Sequence, residues 1–388
     1  MKTGKIFFLG AFVLGWLLFA SGFSLAAEPI KFGMTGALSG PGASLGLDAL
    51  HGMEMAVKDI NSRGGINGSP IEIIARDDEY DPSKALTFAK ELVYKENVVV
   101  FFPSTATTPD LASEQVTLPA HVPHIIAGTT SDIVCPVDGF DPYAFRLAIL
   151  NSWQAKKLAE FAVKQLNAKK IAIMYDSTEY GQDGRRMLVP ELAKLGITPI
   201  YEYSLNLGDV DFTAPLTKIN ALGADAIITW TLGAEVAHIA LDKEKLGYRQ
   251  IRLLGSEAIT MAELRNLAKG AANGIFIADR MRAAYSDPNP KVKAFMDRYL
   301  KEYKTDPKMA VPSWTITYYD AVNWVAQAIK KVGTDREKVR EALENSDPFV
   351  GVTGIKYAFS PKKHNGRSPD AVYIVMVKDG KLVDPVIR

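Results

Sequence analysis

From residue 30 onward, short apolar runs alternate with amphipathic stretches of helical length, and this rhythm narrows the fold more than any single motif. Strands are expected over 30–37, 71–77, 98–102 and 124–127. Between the first two, 49–63 places Met53, Ala56, Val57 and Ile60 on one helical face, and Gly64-Gly65 stops it. The next helix, 82–95, turns Ala85, Phe88, Ala89, Leu92 and Val93 inward. The apolar run 98–102 is nearly continuous, as expected of a strand covered on both faces. The rhythm then restarts, with helices over 151–166, 181–195 and 212–222 and strands over 170–176, 199–203 and 226–230. Segments 234–246, 252–255, 262–267 and 274–278 continue it. Alternation of this kind implies right-handed βαβ units and parallel sheets. Two such series predict an α/β fold of two doubly wound lobes. The last third differs: 290–303, 312–331 and 335–345 are helical in pattern. The tail ends on a hairpin signal, 371–377 and 382–387 about Lys378-Asp379-Gly380-Lys381.

The beginning of the chain obeys a different logic. Lys2 and Lys5 precede an uncharged apolar run over 6–23, and Ser24-Leu25-Ala26-Ala27 supplies small residues for cleavage. This is the pattern of a secretory signal peptide over 1–26, with cleavage after Ala26 or Ala27. A single membrane anchor is the alternative, because 18 apolar residues just span a bilayer. The small-residue site and the lack of a basic stop-transfer cluster favour the signal peptide. A soluble, exported, periplasmic protein is expected, which disfavours enzymes that need cytosolic ATP or NAD. The leader removes two of 45 basic residues and none of 44 acidic ones, so the formal charge moves from +1 to −1. A charge so near zero argues against nucleic acid or an anionic membrane as partner. The lone cysteine, Cys135, excludes an intrachain disulfide framework and a multi-cysteine zinc site.

Motifs for catalysis are missing or incomplete. Gly40-Pro41-Gly42-Ala43-Ser44-Leu45-Gly46 follows a strand and precedes a helix, yet is one residue too long for a dinucleotide fingerprint. It reads instead as a turn that lets a ligand or the other lobe approach the backbone. There is no nucleophile elbow, and Ser360-Pro361-Lys362-Lys363 matches S-x-x-K without its companion motifs. His121, His124 and Cys135 form a nominal metal set, but a helix end entering a strand explains them as well. The acidic run 77–81 lacks the glycine and terminal glutamate of a calcium loop and suits a strand end followed by a helix start. No enzyme activity, metal or cofactor is expected.

Two hydroxyl-rich loops remain. Pro103-Ser104-Thr105-Ala106-Thr107-Thr108 follows one strand and Gly128-Thr129-Thr130-Ser131 follows another of the same lobe. Parallel α/β sheets bind ligands beyond the carboxyl ends of their strands. Hydroxyls and free N–H groups at a helix start hold a carboxylate without arginine. Either loop alone is explained by ordinary capping, and the pair together points to a ligand.

At this point a family resemblance becomes specific. The segment 30–59, IKFGMTGALSGPGASLGLDALHGMEMAVKD, continues as INSRGGINGSPIEIIARDDEYDPSKA. It resembles the periplasmic Leu/Ile/Val-binding proteins, the substrate-binding components of branched-chain amino-acid ABC transporters. The glycine-rich loop, the N-x-x-G-G-I-x-G segment and the D-D-x-x-D-P-x-x-A segment carry the likeness. Tyr175-Asp176-Ser177-Thr178-Glu179-Tyr180-Gly181 resembles the family's second-lobe strand and aromatic-Gly loop. The similarity runs from about 30 to 380 and is weaker after 284.

The resemblance implies a type I periplasmic-binding-protein fold with three hinge crossovers. One lobe is expected over 28–147 with 281–356, the other over 148–280 with 357–388. It implies that Ser104 and Thr107 hold a ligand carboxylate, with Gly128 and Thr130 as a second contact. Tyr180 supplies the second-lobe aromatic and Glu257 meets an α-ammonium. Leu45 and Thr231-Leu232 stand where an aromatic is common, so Leu45, Trp230 and Leu232 are expected to form an apolar wall. No pocket charge besides Glu257 is expected. The implied function is capture of an amino acid, foremost Leu, Ile or Val, and delivery to a membrane permease by a monomer. An aromatic acid, a small amide or urea is the alternative ligand.

Overall fold

Strand after strand, the parallel pairing expected of βαβ units is realised in two separate sheets. The computed structural model describes residues 27–284, 286–304, 306 and 312–385. The expected leader over 1–26 and the end of the last expected strand lie outside the described residues. The first sheet holds β1 (Ile30–Gly36), β2 (Ile71–Asp77), β3 (Val100–Phe102), β4 (His124–Ile126) and β5 (Ala144–Arg146), ordered β2-β1-β3-β4-β5 and parallel throughout. Its helices are α1 (Ala43–Ser62), α2 (Pro82–Tyr94) and α3 (Thr107–Thr117). The sequence-level reading did not anticipate β5. Three residues, Ala-Phe-Arg, are too few to show a period, and the arginine hides the strand's burial.

The second sheet begins with β6 (Ile171–Asp176), β7 (Tyr201–Leu205), β8 (Ala226–Trp230), β9 (Arg252–Gly255) and β10 (Phe276–Asp279). They alternate with α4 (Asn151–Glu160), α5 (Glu179–Lys194), α6 (Thr213–Ala221), α7 (Gly233–Lys245) and α8 (Ala262–Ala268). A π-helical turn, Phe161–Gln165, ends the first of these. The chain then returns to the first lobe as α9 (Pro290–Tyr303), α10 (Pro312–Val332) and α11 (Arg336–Glu344). A two-strand ribbon, β11 (Phe349–Val350) with β12 (Lys356–Tyr357), follows, and it too was unforeseen. The tail hairpin, β13 (Tyr373–Lys378) and β14 (Lys381–Val383), adds antiparallel to β10. The second sheet is therefore ordered β14-β13-β10-β9-β8-β6-β7. The chain crosses between the sheets three times: after β5, after β10 and before β13.

Local chemistry explains the element ends. Asp81 caps α2 through its carboxylate, which accepts from the Ser83 and Lys84 N–H groups, and Pro82 occupies the first helical turn. Asn289 and Asp335 cap α9 and α11 in the same way. One apolar cluster runs from β1 and α1 through α10 into α4, β6 and β8, so both sheets share a core where they meet. Among the described residues, no helix is long and apolar enough to cross a membrane.

The pairing of α1 with α10 depends on one absent side chain. A Cβ at Gly52 would stand 2.2 Å from the Thr315 carbonyl oxygen of α10. Backbone cannot yield as a flexible side chain does, so Gly52→Ala forces the helices apart. We expect a loss of about 1–3 kcal/mol in chemical denaturation. An unchanged denaturation midpoint would mean that the two helices are not packed this closely.

Candidate functional site

In the first sheet the strand order reverses between β1 and β3, and in the second between β6 and β8. Loops leaving the carboxyl ends of strands at such switch points open a crevice. Here the two sets of loops enclose one cleft. Gly42 and Leu45 come from the loop and helix after β1, Tyr80 from the loop after β2, and Thr105, Ala106 and Thr107 from that after β3. Thr130 follows β4, Tyr180 follows β6, Leu232 follows β8, Glu257 and Ala258 follow β9, and Trp314 comes from α10. A wider surface hollow near Lys31, Asn67 and Glu96 lies at the amino end of β1, away from these loops.

Six of the nine residues singled out in the sequence meet at this cleft: Leu45, Thr107, Thr130, Tyr180, Leu232 and Glu257. Thr107 opens α3, whose N-cap residue Ala106 offers no side-chain cap, so first-turn N–H groups are open to an acceptor. Its Oγ1 is buried without a hydrogen-bond partner among the described residues. Thr130 donates its hydroxyl to Asn151 Oδ1 at 2.7 Å. Tyr180 reaches Ser256 Oγ at 2.7 Å, which fixes its ring against the second lobe.

The other three stand behind the cleft. Trp230 does not belong to the apolar wall expected for it. It is the fully buried last residue of β8, and its ring fills the space a Cβ would take at Gly184, 2.1 Å from the indole. Strand alternation turns it toward α5, where it backs Tyr180 at a ring separation of 6.5 Å. Ser104 is wholly buried, its Oγ 3.4 Å from the Ala106 N–H and beside the Asp78 carboxyl. Gly128 acts through what it lacks, since a Cβ there would stand 2.6 Å from the Tyr318 hydroxyl. Its carbonyl is taken by Arg280.

That arginine stands behind the cleft and pairs with Glu257, the one charged residue among the described residues that line it. Arg280 follows β10 and is fully buried. Its Nε donates to Glu257 Oε2 at 2.8 Å and its Nη2 donates to Glu257 Oε1. Its guanidinium carbon lies 4.1 Å from the centre of the Trp314 ring. A charged pair at the end of an otherwise apolar strand, Asp279-Arg280, was the overlooked signal. Tyr80 was also missed, inside an acidic run that read as a strand end; it holds a left-handed φ of 67°. Burial pushes the neighbouring carboxyls up: Asp279 to about 7, aided by the Glu257 charge, and Asp78 to about 6.

The suspected histidine–cysteine set does not assemble. His124 gathers instead with Asp110 and Glu114. Its Nε2 lies 2.7 Å from Asp110 Oδ1 and its Nδ1 2.8 Å from Thr117 Oγ1, so both ring nitrogens are engaged within the lobe. His121 stacks on Tyr143 at 4.6 Å.

The chain is similar to known proteins over nearly its whole length. A family model described as periplasmic binding protein matches residues 29–381. A Leu/Ile/Val-binding protein homolog 7 of Brucella abortus is 26% identical over 377 residues, 94% of this chain and 92% of that protein. A leucine-, isoleucine-, valine-, threonine-, and alanine-binding protein of Pseudomonas aeruginosa is 29% identical over 345 residues, 87% of each. Among solved structures, a periplasmic binding protein type 1 of Bordetella pertussis Tohama I superimposes with a TM-score of 0.83 at 27% identity, covering 92% of this chain and 100% of that one. A branched-chain amino acid transporter substrate binding protein of Streptococcus pneumoniae, solved with isoleucine, has a TM-score of 0.82 at 24% identity, covering 91% and 97%.

Asp176, the last residue of β6 at the second switch point, yields a pH test. Burial lifts its carboxyl from 3.8 to about 6, against hydrogen bonds from the Thr178 hydroxyl and N–H that pull it down. The folded protein thus holds this proton more tightly than the unfolded chain. Below pH 4 both states are protonated and nothing is lost; between about 4 and 6 stability falls as pH rises, by on the order of 2 kcal/mol. Asp176→Asn is expected to flatten that part of a melting-temperature profile. A profile identical to wild type would exclude Asp176 as its source.

Proposed function

Because the chain belongs to the periplasmic binding protein family, whose members named above are solute-binding proteins and not enzymes, we propose that it captures an amino acid between its lobes. The expected ligands are Leu, Ile and Val, handed on to the membrane permease of an ABC transporter. One observation carries this reading. Two residues lining the cleft, Thr107 and Trp314, each keep a buried polar atom, Oγ1 and Nε1, without a partner among the described residues. Buried polar groups generally find partners in folded proteins; other buried atoms here also lack one, but these two belong to residues that line the cleft, where an acceptor-bearing ligand would serve both. The open start of α3 favours an anion, and a carboxylate meets that requirement.

Leu45, Tyr80, Tyr180, Leu232 and Ala258 present surfaces that suit an aliphatic or aromatic group. The names of the Brucella and Pseudomonas relatives support branched-chain ligands. In this reading Ser104 and Gly128 shape the carboxylate loops from behind, and Trp230 buttresses Tyr180. The lobes, 28–147 with 281–356 and 148–280 with 357–388, close as a hinge that the ligand favours by touching both. The protein acts as a monomer and is exported with the help of its leader.

Isothermal titration with leucine, isoleucine, valine, phenylalanine, benzoate and urea tests the reading. Heat with the aliphatic amino acids is expected, and silence with every amino acid overturns it. Thr107→Val removes a hydroxyl but keeps its volume. It should weaken leucine binding by about 1.5–3 kcal/mol if that hydroxyl donates to a carboxylate.

A further inference from the structure

The cleft's most unusual feature is that its one lining carboxylate is already paired. Glu257 is 1% exposed and Arg280 is not exposed at all. Both Glu257 oxygens receive guanidinium N–H groups, the bidentate geometry in which arginine and carboxylate bind most strongly. The guanidinium cannot swing away. Its Nη1 donates to the Ala127 carbonyl at 2.5 Å and its Nη2 to the Gly128 carbonyl at 3.0 Å, both in the first lobe. One face is closed by Trp314. Four of the five guanidinium donors are accounted for by these contacts.

An ammonium entering this cleft therefore does not meet a free anion. It meets a neutral ion pair whose oxygens retain only their remaining lone pairs. Handing Glu257 wholly to the ligand would strand a buried guanidinium, a strongly unfavourable outcome. The charge attraction that would select a zwitterion over a plain carboxylate is largely cancelled before the ligand arrives.

Resting on the carboxylate-ligand reading above, we infer that Arg280 is the specificity-determining residue of the cleft, and that its pairing with Glu257 admits branched or aromatic carboxylates lacking an α-ammonium alongside amino acids. Arg280 acts through Glu257 and through the loop carbonyls it anchors. The apolar wall then selects the carbon skeleton, and the threonine loops select the carboxylate.

Matched ligand pairs test this on the unaltered protein. Titration calorimetry would compare leucine with 4-methylpentanoate, and phenylalanine with 3-phenylpropanoate, each pair differing only in the amine. For whichever pair binds, the two affinities are expected to agree within about tenfold. An unpaired buried carboxylate would instead separate them by roughly 30-fold or more, and that result overturns the inference while leaving the amino-acid reading intact. Silence with all four ligands overturns the carboxylate reading and the inference with it. Two variants give a second readout through the affinity ratio within a pair. Glu257→Gln leaves Arg280 as an unpaired cation and should shift the ratio toward the plain carboxylate. Arg280→Met frees Glu257 and should shift it toward the amino acid. Circular dichroism establishes that each variant is folded, and ratios unchanged from wild type in folded variants would overturn the assignment.

Discussion

Each time the chain passes between its two sheets, it carries a buried arginine, and the geometry of the cleft depends on where those guanidiniums are tied. Arg146 ends β5 and donates to the Thr129 and Ser131 carbonyls. Arg280 follows β10 and donates to Ala127, Gly128 and Glu257. Arg367 precedes β13 and donates to the Arg280 carbonyl at 2.7 Å and to the Tyr357 hydroxyl at 2.9 Å. A buried cation must find acceptors for its N–H groups. The acceptors here are mostly main-chain carbonyls of the loop 127–131 or of the crossovers themselves. The same bonds that satisfy the charges hold the ligand loops in place.

Carboxyl groups in the region are nonetheless shifted upward, against the pull of these arginines. Asp279 and Asp320 are both pushed to about 7, chiefly by burial. Asp320 accepts from the Val352 N–H at 3.0 Å and from the Tyr357 hydroxyl, which links it to Arg367. The lobes are also joined away from the crossovers. Asp183 of α5 accepts from the Ser131 hydroxyl and the Asp132 N–H, and Ser44 of α1 donates to Glu263 of α8 at 2.7 Å. The walls of the cleft mix apolar side chains with threonines and Glu257, and its frame is a polar network.

Much of this was legible before any coordinates. The expected helix over 290–303 matches α9 to the residue, and the tail hairpin pairs about the expected turn. Six of the residues that the resemblance implied line the cleft, and periodicity had already marked the two hydroxyl-rich loops that hold Thr107 and Thr130 as lying beyond strand ends. Trp230, expected at the wall beside Leu45 and Leu232, is turned by strand alternation toward α5, where Gly184 leaves space for its ring. β5 escaped notice because a three-residue strand ending in arginine has no readable pattern.

The sequence by itself determined that two parallel α/β series exist, where their strands end, and that hydroxyl-bearing loops follow those ends. Those properties follow from local periodicity and turn chemistry, which neighbouring residues set among themselves. Only the tertiary structure decided that Glu257 is already spoken for. Its partner lies 23 residues further along the chain, and Arg280's other acceptors lie about 150 residues earlier. Charge pairing in a buried site depends on distance in space, and no pattern along the chain records it.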